Sequence, residues 1–241
     1  MLKSFVKALF AKAGFDLTRN GRAQPPIDMR SGLASLQRNG IIPATVLDVG
    51  ASDGQWSELA LQFFPNASYV LFEPQPVHAV ALERYFAKHA STTRVLRKAV
   101  GRTTGSTFFE VSHPFGGALA HQPGPNVIEV PMVSLDDAVA ELQPKPPYLI
   151  KLDTHGYEYS ILEGASESLR LANALVIEAY NHKRTNEGLF FWELCAYLYE
   201  RGFRPIEAVD VGRRSRDGTF WQMDIFFART TWSGFDFTDY E

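Results

Sequence analysis

The sequence predicts an α/β fold: a mostly parallel sheet that ends in an antiparallel hairpin. Three observations carry the prediction. Apolar runs at 44–49, 68–73 and 93–98 alternate with helix-patterned segments at 55–63 and 75–89, the spacing of parallel strands joined by right-handed crossovers. Two further buried runs, Tyr148–Leu152 and Ala174–Tyr180, follow later in the chain. Arg204–Val211 and Phe220–Arg229 flank the turn-rich Arg213–Gly218 and read as a closing hairpin.

Composition bounds the rest. At 241 residues, 45% hydrophobic and 21% charged, the chain suffices for one domain with insertions. A net charge of −3 gives no basis for non-specific nucleic-acid binding. Cys195 is the only cysteine, which excludes an internal disulfide and a multi-cysteine metal site and fits a reducing cytosol. No apolar run is long enough to span a bilayer, and Met1–Lys7 lacks the sustained apolar region of a secretory signal. Three parts are expected: an N-terminal helical extension over 1–40, the main domain over 41–231 with an insertion at about 101–133, and a tail over 232–241.

Residues 2–15 pattern as a short amphipathic helix, with Leu2, Phe5, Val6, Leu9 and Phe10 on one side and Lys3, Lys7 and Lys12 off it. Residues 1–30 hold six Lys/Arg against two Asp. Two readings stand: a leading helix packed on the domain, or a weak foothold at the inner, anionic face of a membrane. Gly21–Pro26 is a linker, and Met29–Asn39 a helix stopped by Gly40. In the insertion, Thr107–Val111 and Val127–Val133 read as strands around a turn-rich loop, His113 to Pro125, expected to be a cover or substrate loop. His113 and His121 are expected to face solvent. Ser134-Leu135-Asp136-Asp137 carries the chemistry of a helix start, with Asp136 a helix-start acid. Phe190–Arg201 is an amphipathic helix, closed by Gly202, that takes Cys195 into the core. The aromatic, acidic tail is either frayed or packed back on the domain.

The chemistry concentrates at three strand tips. Val46-Leu47-Asp48-Val49 leads into Gly50-Ala51-Ser52-Asp53-Gly54, and a helix starts at Gln55-Trp56. Glycines let a backbone approach a ligand, and the amides of a first helical turn point at it. The pattern is not G-x-G-x-x-G. Asp48, two places before the first glycine, would crowd a pyrophosphate with negative charge; it suits a cofactor with no phosphate and a cationic centre, as in S-adenosylmethionine. About 20 residues on, the second run ends in Glu73-Pro74, where a carboxylate can accept from a ribose diol. The third tip is Lys151-Leu152-Asp153-Thr154-His155-Gly156, with Lys151 and Asp153 on one strand face. Ligands of open α/β sheets bind at such carboxyl ends, so Asp48, Glu73 and Asp153 are expected around one pocket. Asp153, His155 and His182 are the candidate proton acceptors, each with a structural alternative. Asp153 could hold the Gly156 turn, and His155 could be a turn histidine bonded to backbone. Asp153, His155 and His182 could supply oxygen and nitrogen ligands to a metal, but no H-x-x-x-H or paired-carboxylate spacing occurs, so none is expected.

Together these residues resemble a known family. Val46–Ser57, Phe72-Glu73-Pro74, Lys98-Ala99-Val100-Gly101, Val133–Asp137, Ile150–Glu158 with Leu162–Ala165, and Gln222–Phe227 are similar to FkbM-type methyltransferases, over about residues 40–230. The resemblance implies a class I Rossmann-like methyltransferase fold, S-adenosylmethionine as cofactor, and a hydroxyl of a sugar, glycolipid or small natural product as acceptor. It assigns cofactor contact to Asp48, Gly50, Ala51, Ser52 and Gly54 and the ribose to Glu73. The family usually has Glu or Gln where His155 stands, which points to a different acceptor. Two competing readings are an NAD-dependent oxidoreductase of similar architecture and a non-catalytic cofactor-binding module.

Overall fold

The structure, a computed structural model, describes residues 27–114, 116–120 and 122–239. The expected helix over 2–15, with both its readings, the linker at 21–26 and His121 lie outside the described residues. No helix among those described is long and apolar enough to cross a membrane.

Among the described residues seven strands make the main sheet: β1 (Thr45–Val49), β2 (Ser68–Phe72), β3 (Thr93–Leu96), β8 (Tyr148–Leu152), β9 (Ala172–Tyr180), β10 (Phe203–Arg213) and β11 (Phe220–Arg229). Their order is β10-β11-β9-β8-β1-β2-β3. From β9 to β3 neighbours are parallel, while β11 runs antiparallel between β9 and β10. The architecture is thus the expected class I methyltransferase fold, and the closing hairpin is present. β1 and β8 are buried at every residue, because helices cover both faces; this is why their sequences read as continuous apolar runs rather than alternating ones.

Alternate residues of each strand feed two cores. Leu47, Val49, Ile150 and Leu152 point to one, with α4 (Leu135–Leu142), α5 (Glu158–Glu163), α6 (Ser166–Leu171) and α7 (Phe191–Tyr199). Val46, Leu149 and Phe226 point to the other, with α1 (Met29–Arg38), α2 (Gln55–Ala60) and α3 (Ala79–His89). Cys195 packs against the first core, as expected. Trp232 and Phe235 pack against the second, so the tail folds back as far as Phe235.

Two local expectations need correction. The strand expected over 93–98 ends at Leu96. The chain then leaves the main sheet, and β4 (Ala99–Gly101) joins a second sheet with β5 (Gly105–Glu110), β6 (Ala118–Ala120) and β7 (Val127–Ser134). The insertion is therefore a four-stranded sheet, larger than a hairpin, with β4 parallel to β7. Ser134 caps α4 as expected, accepting from the Asp137 amide at 3.1 Å, and Asp136 is a first-turn acid of that helix. Asp136 also accepts from the amides of Glu167 and Ser168 in the first turn of α6.

Candidate active site

The first strand tip is built around a glycine that nothing else could replace. Gly50 has φ +78°, and a Cβ there would lie 2.1 Å from the Asp153 carbonyl oxygen. The tips of β1 and β8 can thus meet only with hydrogen at this position. The amides of Gly50 and Ala51 both donate to the Phe72 carbonyl at 3.0 Å, which ties the turn to β2. The next amide, Ser52, donates to Glu73 Oε2 at 2.9 Å, and Gln75 donates to Glu73 Oε1 at 2.8 Å. Glu73 is 6% exposed, and burial raises its pKa against the pull of those two amides. Each of its oxygens keeps a lone pair for a ribose diol.

Asp48 is not on the pocket wall; that expectation is corrected. It is fully buried and sits beside Lys151 in the β1–β8 register. Its Oδ2 accepts from Ser57 at 2.6 Å, and its Oδ1 lies 3.4 Å from the Lys151 ammonium. The same ammonium donates to the Gly50 carbonyl at 3.1 Å and lies 3.2 Å from Asp153 Oδ2. Asp48 thus acts from beneath the turn, through a buried lysine. Ala51, Gly54, Gln55 and Trp56 also lie off the wall. Ala51 is buried, the Gln55 amide is taken by Asp53, and Trp56 packs against the second core.

The third tip is shaped by Glu158. Its Oε1 accepts from the amides of Thr154 and Gly156 and from the Thr154 hydroxyl, at 3.1–3.2 Å. That clamp holds His155 and Gly156 at positive φ and turns the strand end back over the crevice. Asp153 and His155 both reach the wall, with His155 Nε2 3.7 Å from Asp153 Oδ1. Burial works against the Asp153 charge, yet Lys151 and then His155 pull its pKa below the usual carboxylate value.

These tips face one cavity, partly open to solvent, with about 810 Å³ of empty space when its open mouth is included. Gly50, Ser52, Glu73 and Pro74 line one side, and Asp153, Thr154 and His155 another. The insertion closes it. Pro114 accepts from Gln75 and His78 at 3.1 and 2.8 Å, Gly117 accepts from His155 Nδ1 at 3.2 Å, and Leu119 accepts from the Tyr157 hydroxyl. The described part of the expected cover loop is therefore a wall of the cavity.

His182 is the other correction. It stacks on Trp221, centroids 3.4 Å apart, away from the cavity, and burial lowers its pKa. Glu178, which the sequence reading assigned no role, takes its place beside Asp153. Burial and then the Asp153 charge push it up to about 8, and the same two causes push Asp224 up to about 7. Glu178 lies two residues from the end of β9, and an acid near a parallel strand tip was the signal that could have found it. Gln75, His78 and Tyr157, which hold the insertion, carried no local signal.

Residues 48–205 match the family described as the Methyltransferase FkbM domain. No curated protein is similar enough to count as a match. Among solved structures, the chain is similar to methyltransferase FkbM from Methylobacillus flagellatus KT, with 18% identity and a TM-score of 0.51 over 78% of this chain and 46% of that one. It spans less than half the length of that protein. It is also similar to cofactor-bound Rv0187 from MTB, with 17% identity and a TM-score of 0.50 over 95% of this chain and 90% of that one. At such identities the structures speak for the fold.

Proposed function

The chain belongs to the FkbM methyltransferase family, and from that premise we propose that it moves a methyl group from S-adenosylmethionine to a hydroxyl of a sugar, glycolipid or small natural product. One observation carries the reading. The Gly50 turn with the buried Glu73 carboxylate, and the Asp153–His155 pair, bound the same cavity from different strands. A nucleoside on the first side puts an acceptor on the second.

The residues fit the cofactor. Glu73 offers two lone pairs from a buried carboxylate, and Gly50 leaves bare backbone where a side chain would stand. When bound, S-adenosylmethionine supplies an electrophilic methyl on a sulfonium. The chain has three tasks. Glu73 accepts the ribose hydroxyls. The insertion, tied down through Pro114, Gly117 and Leu119, excludes water. A sugar hydroxyl is a poor nucleophile, and it is activated where Asp153 and His155 meet the cavity.

The test begins with calorimetry: S-adenosylmethionine binds the native chain, and Glu73→Ala weakens it severely. Incubation with isotope-labelled cofactor and extracts of glycolipids and metabolites then gives a labelled O-methyl product by mass spectrometry. Binding of NAD without binding of S-adenosylmethionine would overturn the reading in favour of an oxidoreductase.

A further inference from the structure

We propose that Asp153, His155 and Glu178 bind one divalent cation of the Mn2+ to Zn2+ series, which grips the acceptor's hydroxyl oxygen. The catalytic role rests on the transfer reading above; the binding of the ion does not.

The geometry comes first. One carboxylate oxygen of Asp153, one ring nitrogen of His155 and one carboxylate oxygen of Glu178 lie within 4.8 Å of one another, and no other such group occurs among the described residues. Ligands around a shared ion, at about 2.0–2.2 Å each, stand roughly 3–4 Å apart, so small side-chain rotations close the set. His155 has its ring orientation fixed from outside the group. The Gly117 carbonyl can only accept, so Nδ1 donates to it and Nε2 is the nitrogen left to face the group. Nε2 lies 3.7 Å from Asp153 Oδ1, where a positive charge, a proton or a metal ion, serves both. A backbone carbonyl on the other ring nitrogen is also what orients metal-bound imidazoles.

The other two ligands are braced in the same way. Asp153 Oδ2 lies 3.2 Å from Lys151, and Asp153 shares a hydrogen bond with Glu178 whose proton a bound ion would displace. Glu178 accepts from the Tyr180 hydroxyl at one oxygen and from Gln222 at the other, and each oxygen retains a lone pair. Among the described residues Lys151 is the ammonium that faces Asp48, Asp153 and Asp224, and burial with the Asp153 charge makes Glu178 and Asp224 hold protons that a bound cation would release. Two carboxylates and an imidazole suit a first-row divalent ion better than Ca2+, and three protein ligands leave positions open toward the cavity. A hydroxyl oxygen entering there is polarised; its O–H bond breaks, the proton passes to water, and the oxygen keeps the electron pair as a nucleophile. A vicinal diol on a sugar ring would fill two open positions at once. That makes sugars the favoured acceptor class.

The test uses the full chain, stripped with EDTA and titrated with Mn2+, with free Mn2+ read by electron paramagnetic resonance. One ion binds per chain, and Glu178→Gln and His155→Ala each weaken it by more than about 10-fold. Circular dichroism melts identify folded variants; should Glu178→Gln fail to fold, His155→Ala, on a partly exposed turn, carries the test. Absence of Mn2+ binding, or unchanged affinity in a folded variant, overturns the site. S-adenosylmethionine binding is measured alongside. Cofactor binding without Mn2+ sinks the metal site alone, and Mn2+ binding without cofactor sinks the transfer reading alone.

Discussion

Lys151→Met removes the one cation among the described residues that joins the first and third strand tips. Its ammonium is buried and lies 3.4 Å from Asp48 Oδ1, 3.2 Å from Asp153 Oδ2 and 3.1 Å from the Gly50 carbonyl. Asp48 Oδ1 has no hydrogen bond, so its only compensation is that charge. Methionine keeps the length and apolar stem of the side chain but leaves a fully buried carboxylate unpaired. Removing one partner of a buried ion pair costs about 3–5 kcal/mol. Asp153 is 37% exposed in its side chain, so water covers part of its loss and Asp48 accounts for most of the effect. At about 2–4 °C per kcal/mol for a domain of this size, the melting temperature falls by roughly 6–20 °C at pH 7. The pH dependence has a definite sign. Burial opposes the Lys151 charge, but Asp153 and Asp48 raise its pKa, so its contribution is full below the unfolded value of about 10.4. The lowered pKa of Asp153 contributes stability above the unfolded value of about 3.9, which is lost as pH falls through the folded value. The gap between native chain and variant is therefore full between about pH 5 and 9 and narrows in acid. Calorimetric scans and urea titrations at pH 7 and pH 4 measure it, and adding Asp48→Asn restores part of the loss. A drop of less than about 2 °C at pH 7, or no recovery in the double variant, would refute the claim that this ammonium compensates a dry carboxylate.

Two further outcomes follow from the same geometry. Gly50→Ala puts a Cβ 2.1 Å from the Asp153 carbonyl at φ +78°, so S-adenosylmethionine affinity by calorimetry falls by more than about 10-fold, or 1.4 kcal/mol. Gly40→Ala, also at positive φ but with nothing within 4 Å, leaves affinity unchanged; equal losses in both variants would mean backbone strain alone is at work. Asp224 has its pKa raised to about 7 by burial and then by Asp153, so the folded state holds a proton that the unfolded state has released. Stability then falls as pH rises from about 4 to 7, and Asp224→Asn, which mimics the protonated form, flattens the urea-midpoint profile across that window.

What was legible came from signals local in the chain. A strand buried on both faces must be apolar along its length, and a turn that approaches a ligand must contain glycine. Hence β1, β2, β8, the Gly50 turn and Glu73 could be read from spacing alone. His182 misled because it follows a buried strand and titrates near neutrality, the same reasons that favoured His155. Its ring instead turns to Trp221, a contact made by a strand about 40 residues later.

By itself the sequence determined the alternation of strands and helices, the positions of the strand tips, and therefore the end of the sheet on which chemistry could occur. These follow from periodicity and turn stereochemistry, which act over a few residues. Only the tertiary structure decided which acid faces the cavity. Asp48 withdrew because sheet register set Lys151 beside it, and Glu178 entered because β9 lies next to β8. The wall formed by Pro114, Gly117 and Leu119 likewise exists only once the insertion folds back. Burial and electrostatic pairing depend on neighbours across strands, and no spacing along one strand encodes them.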